Sequence, residues 1–182
     1  MLKYYSSLMY IKSTNLGDIM SKSLAVAISV GILAAVWNAL SGDYLGSIVA
    51  TSIPVGFIAW ACSGLAGKSD AMQKTVIGMT FGAIIASVAV MIGGVDLPVI
   101  GASDEAGVGL AALILVLVSG RVSQVSNVGI NVLGFASAFT LSPSAASIGA
   151  MDLTNPVAIV LISSILGVIA GNLAERLAAA IK

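Results

Sequence analysis

Hydrophobic positions in this chain run nearly unbroken for long stretches, and polar residues cluster between them. Six apolar runs result, roughly Ser23–Leu40, Leu45–Gly64, Thr75–Gly94, Gly107–Gly120, Ser126–Leu141 and Pro156–Ala174. A helix rises about 1.5 Å per residue, so about 20 residues span a hydrocarbon core of roughly 30 Å. The runs therefore predict an all-α integral membrane protein of six short transmembrane helices. The fourth and fifth runs are shorter than a full span and require local bilayer thinning or cover from neighbouring helices. Glycine and proline inside the runs are compatible with this, because neighbours satisfy backbone groups that such residues free.

Composition narrows the picture. Of 182 residues, 58% are hydrophobic and 9% charged, and the mean hydropathy is +1.08. A soluble domain carries about 25% charged residues, so this chain has no polar shell to offer water, and lipid is the expected partner. The length allows one transmembrane domain, residues 22–182, behind an N-terminal segment of residues 1–21 that is cytoplasmic or interfacial. Histidine is absent, Cys62 is the only cysteine and net charge is zero. No disulfide, no Cys/His metal site, no cofactor and no nucleic-acid partner are expected. No GxGxxG, Walker or nucleophile-elbow pattern stands in a usable context, so an enzyme is not expected. The start lacks the small-residue cleavage site of a secretory signal.

Loop charge sets the orientation. With the N terminus in the cytoplasm, six spans put Lys3, Lys12, Lys22, Lys68, Lys74, Arg121, Arg176 and Lys182 on the cytoplasmic side. The external segments then hold Asp43, Asp96, Asp104, Glu105 and Asp152 and no basic residue. This is a complete positive-inside bias, and it places both termini in the cytoplasm. Residues Met1–Met20 read either as an interfacial helix with tyrosines at headgroup depth or as an extended start ahead of Met20. Leu97-Pro98-Val99-Ile100-Gly101 predicts a short cap or shallow re-entrant turn. Ser103 and Pro156 read as helix-start residues, Ser103 as an N-cap and Pro156 at the first helical position. Trp37, Asn38 and Tyr44 fit an interfacial belt.

The two halves resemble each other at an offset of 78 residues: Gly31-Ile32-Leu33-Ala34 with Gly109-Leu110-Ala111-Ala112, Ser41-Gly42 with Ser119-Gly120, and Gly56-Phe57 with Gly134-Phe135. Halves of about 22–94 and 106–174 would each hold three helices. An odd number makes the second half enter from the opposite side, which is a 3+3 inverted-topology repeat.

No ionisable residue lies well inside a run. A charge there costs about 2.5–3.5 kcal/mol on insertion scales, and its absence favours passage of a neutral solute over a proton relay. In the fifth run Asn127, Asn131, Phe135 and Phe139 recur every four residues, so they share one helix face. They predict either a solute path or interhelical hydrogen bonding by the two amides. Their repeat counterparts in the second run are Thr51, Ser52, Gly56, Phe57 and Trp60. Phe57 opposite Phe135 would make an apolar constriction that opposes hydrated ions; the alternative is plain aromatic packing. Gly78 and Gly82 form a GxxxG pattern, and with Gly167 and Gly171 they predict close helix packing within or between subunits.

The run Gly31-Ile32-Leu33 followed by Trp37, the small size, the six helices and the Gly-Phe-rich second helix resemble the bacterial inner-membrane proteins grouped as domain of unknown function 1097. The resemblance covers roughly Met20 to Lys182 and implies a bacterial inner-membrane location, with no substrate or catalytic residue to carry over. The expected function is a homo-oligomeric channel or facilitator for a small neutral or weakly polar solute such as urea, an amide or ammonia. One alternative is the substrate-binding membrane subunit of an energy-coupling-factor importer, docking through Ala25, Ala27, Ala34 and Ala35. The other is a structural membrane protein without transport activity.

Overall fold

A computed structural model describes residues 16–41, 50–66, 70–94, 104–141 and 148–181. They form an all-α fold: α1 Leu16–Ala39, α2 Ile53–Leu65, α3 Ala71–Gly93, α4 Asp104–Ser119, α5 Val128–Leu141 and α6 Pro156–Ile181, with a 3-10 turn Ser123–Val125 between α4 and α5. Each apolar run has its helix. Helix α1 begins ahead of Ser23, and α6 continues past Ala174 through the exposed Glu175 and Arg176. The expectations for residues 1–15, Tyr44, Pro98 and Ser103 lie outside the described residues.

Ser21–Ala39, Ala71–Gly93 and Pro156–Ile181 are long and apolar enough to cross a membrane, whereas Ile53–Gly64, Glu105–Ser119 and Val128–Leu141 are shorter apolar helices. Large apolar side chains point outward on long and short helices alike, among them Leu24 at 61% exposure, Met91 at 62% and Leu113 at 57%. In water such a surface would aggregate; in lipid it is the expected exterior. The chain is a multi-pass membrane protein.

Polar residues fix the helix starts. Pro156 is the first residue of α6, as its spacing predicts. Asn155 precedes it, accepting the Val157 N–H at 2.9 Å and donating to the Ile148 and Ala150 carbonyls at 2.8 and 2.9 Å. Just upstream, the Thr154 hydroxyl and N–H donate to Asp152, which holds that carboxyl below its usual range. At the start of α5, Asn127 Oδ1 accepts the Ile130 N–H at 3.2 Å, the geometry of an N-cap.

Helix α3 is the hub. Its largest interface is with α5, followed by that with α4, and it also touches α6 and α2; α2 lies mainly on α6, and α1 on α6. Glycines set the distances. A Cβ at Gly82 would strike the Asn131 carbonyl and Phe135 amide, and one at Gly134 would strike the Met79 backbone. A Cβ at Gly167 would strike the Gly56 carbonyl. Helices α3 and α5, and α2 and α6, thus meet backbone to backbone, where only glycine fits. The GxxxG pair Gly78 and Gly82 packs within the chain, against α5. Ser52 faces Ser163, Gly56 faces Gly167 and Trp60 faces Gly171, so α2 and α6 run parallel. The start of α4 at Gly107 meets the end of α3 at Ala89 and Gly93, so those two are antiparallel.

Candidate solute path

Two buried polar clusters stand where one helix ends and the next begins. The first joins α1, α2 and α6. Ser41 is buried at the end of α1, and the half-buried Thr51 donates its hydroxyl to the Ser41 carbonyl at 3.5 Å. The Ser52 N–H, one of the amides freed at the start of α2, donates to the fully buried Ser163 Oγ at 2.9 Å. Trp37 closes the cluster from the side. Its ring lies against Gly56, and its Nε1 donates to the Ile53 carbonyl at 3.2 Å. Trp37 is 5% exposed, so it is a wedge between helices and not a belt residue, whereas Asn38 beside it is exposed.

The second cluster joins α3, α4 and α5. Asn131 is fully buried, and its Nδ2 donates to Ser119 Oγ at 2.7 Å and to the Val125 carbonyl at 2.6 Å. A carbonyl only accepts, so the Val125 bond fixes which end of the amide is nitrogen. Ser119 in turn donates to the Leu115 carbonyl at 2.6 Å. Asn131 Oδ1 and the fully buried Thr75 Oγ1 have no partner.

The predicted stripe on α5 divides between these environments. Asn127 is exposed and caps the helix, and Asn131 is interior. Phe135 is half-buried at the junction of the two core clusters, and Phe139 is 38% exposed. Phe135 stacks on Phe139 with ring centroids 5.8 Å apart, and Phe57 stacks on Trp60 at 6.1 Å. Among the described residues the ring contacts thus run along each helix, and none joins Phe57 to Phe135. Phe57 is 37% exposed, while Trp60 is held by Gly171, whose Cβ position lies 2.6 Å from Trp60 Cδ1.

Sequence reasoning singled out Asn131, Thr51 and Ser52, assigned Trp37 to an interfacial belt, noted Ser119 only as the repeat partner of Ser41, and passed over Thr75 and Ser163. Ser41 and Ser119, equivalent at the 78-residue offset, are both buried, and that pairing was the available signal. No group of three or more acidic, Cys or His side chains able to hold a metal occurs among the described residues. No curated protein and no solved structure matches this chain. Residues 27–179 match the family described as "Protein of unknown function (DUF1097)", and the chain belongs to that family.

Proposed function

We propose that this protein is a channel or facilitator for a small neutral or weakly polar solute, such as urea, a short amide or ammonia. It acts as a homo-oligomer in the bacterial inner membrane, with both termini cytoplasmic, and it is not an enzyme. The observation that carries this reading is the chemistry of the interior. Every buried polar side chain among the described residues is neutral: seven serines, Thr75 and Asn131. Such groups replace part of a neutral solute's hydration, while a bare ion finds no countercharge.

The architecture in this reading is six spans in a 3+3 inverted repeat. The helix pairings support it. Exchanging α1 with α4, α2 with α5 and α3 with α6 turns the large α3–α5 interface into α6–α2, the α3–α4 interface into α6–α1, and the smaller α2–α3 interface into α5–α6, all of which occur. Gly56 and Gly134, equivalent by sequence, each abut the third helix of the other half. The path runs past Asn127, Asn131, Phe135 and Phe139 on one side and Thr51, Ser52, Phe57 and Trp60 on the other.

The importer-subunit reading draws on α1, whose Ala27 and Ala35 are exposed, although Ala25 is buried. It requires a partner ATPase complex, so activity of the isolated chain separates the two. In proteoliposomes, stopped-flow light scattering should show urea and acetamide entry above the lipid background and no sodium current. Phe135→Ala should raise the flux of larger solutes such as N-methylurea. No neutral solute crossing faster than through bare lipid, with the protein folded and inserted, would overturn the proposal.

A further inference from the structure

We propose that the start of α3 holds a phospholipid whose headgroup carries both a phosphate and a primary ammonium, a phosphatidylethanolamine. Two open clefts meet there. One, of about 180 Å³, lies between α3 and the 3-10 turn and is lined by Asp70, Gln73, Lys74, Ile77, Ser123 and Gln124. The other, of about 470 Å³, lies between α3 and α6 and is lined by Asp70, Met72, Gln73, Val76, Ile77 and Ile165. Asp70, Gln73 and Ile77 border both, and at spacings of three and four they form one ridge of the helix. The clefts are chemically unlike. The first offers two opposite charges, two amides and a hydroxyl. Beyond the shared ridge, the second offers only Met72, Val76 and Ile165. Ala71–Gly93 is long and apolar enough to cross a membrane, so its first turn stands at headgroup depth and the apolar cleft lies alongside acyl chains.

Charge complementarity selects the headgroup. Lys74 Nζ lies 3.7 Å from Asp70 Oδ2, and the two side chains are 46% and 55% exposed. An exposed pair of this kind holds itself weakly, so each charge can take a second partner from the membrane. A phosphate suits Lys74, with the N–H groups of Gln124 beside it; the Ser123 hydroxyl binds the other end of that amide, Oε1, at 3.1 Å. A primary ammonium suits Asp70, to which it donates N–H groups. A quaternary ammonium has none to give. A headgroup with phosphate and no cation would set its negative charge beside Asp70 unanswered. The acyl chain then passes Ile77 into the second cleft. A free zwitterion would fill the first cleft and leave the second unused, so the occupant is a lipid. The site requires a membrane-embedded chain and no particular solute.

The test reads lipid binding directly. Native mass spectrometry of the full chain, released from detergent micelles, is titrated with phosphatidylethanolamine, phosphatidylcholine and phosphatidylglycerol of the same acyl chains. Phosphatidylethanolamine should bind about tenfold tighter than the other two, the equivalent of one charge-assisted hydrogen bond. Asp70→Asn should bring its affinity down to that of phosphatidylcholine and raise that of phosphatidylglycerol. Lys74→Gln should weaken all three about tenfold. Met72→Trp, at a residue 44% exposed, fills the apolar cleft without touching the charges and should weaken all three alike. All three substitutions change exposed side chains, so the variants should fold. Glycerophosphoethanolamine, which has the headgroup and no acyl chains, should not compete. Equal binding of the three lipids by the native chain overturns the proposal. So does a preference that neither Asp70→Asn nor Lys74→Gln alters, which would place the lipid elsewhere. Competition by glycerophosphoethanolamine as strong as by the diacyl lipid would make the ligand a free zwitterion, and the lipid proposal would fall.

Discussion

At the scale of single residues, the four-residue stripe on α5 shows why spacing alone places side chains only in part. Four residues advance a helix by about 400°, so each step drifts about 40° past a full turn. Within α5 the two steps from Asn131 to Phe139 carry the stripe through about 80°. That drift is visible in the exposures, since Asn131 is interior, Phe135 half-buried and Phe139 exposed, while Asn127 is exposed because it caps the helix end. The glycines make a sharper contrast. Gly31 has nothing within 4 Å of its Cβ position, whereas Gly82 faces the Asn131 carbonyl and the Phe135 amide, and backbone does not yield. Gly82→Ala should therefore destabilise the protein by about 1–3 kcal/mol, the range of overpacked cores. Gly31→Ala meets no atom and exchanges glycine for a better helix former, so it should be neutral or stabilise by up to about 1 kcal/mol. Reversible unfolding in mixed micelles measures both, and equal effects would mean that α3 and α5 are not in backbone contact.

At the scale of elements, the helices themselves were legible because apolar runs without charge have few alternatives in lipid. Pro156 marked its helix start for a local reason, its preset φ and missing N–H. The start of α2 was not legible. Helix α2 has 13 residues, about 20 Å at 1.5 Å each, too few to cross the hydrocarbon alone. Non-helical backbone at that depth survives only where neighbours satisfy it. The neighbour is Ser163, which is 111 positions away in sequence, and no local pattern announces a contact of that range. Trp37 was hidden likewise: an aromatic at a helix end suits a membrane interface, and only the gap left by Gly56 draws it inward. Ser163→Ala should cost about 1–3 kcal/mol by stranding the Ser52 amide. Ser164→Ala removes only a bond to the Leu161 carbonyl one turn back in its own helix, so it should be close to neutral. Thermal denaturation of the two purified variants distinguishes them, and a Ser164 variant as unstable as the Ser163 variant would mean the α2 start is satisfied in another way.

At the scale of the whole molecule, two independent regularities converge on one topology. Segregation of Lys and Arg is a property of the loops, while the parallel pairing of α2 with α6 and the antiparallel meeting of α3 with α4 are properties of packing. A chain that crosses six times gives both. In the proposed topology α2 and α6 run inward together, and the starts of α3 and α5 share the cytoplasmic face with Lys74 and Arg121. Gln73 and Ser123 line one cavity, so they lie on one side, and alternate crossings put Gly94 and Leu153 on the other. All four are exposed. Single cysteines at these positions in a Cys62→Ala background should give two classes with a membrane-impermeant maleimide. Gln73→Cys and Ser123→Cys should react only in inside-out vesicles, and Gly94→Cys and Leu153→Cys only in intact spheroplasts. Buried Cys62 should be silent in either preparation before it is replaced. Labelling of positions 94 and 123 from the same side would mean that the 16-residue α4 does not cross, which removes the odd helix count per half and the inverted repeat with it.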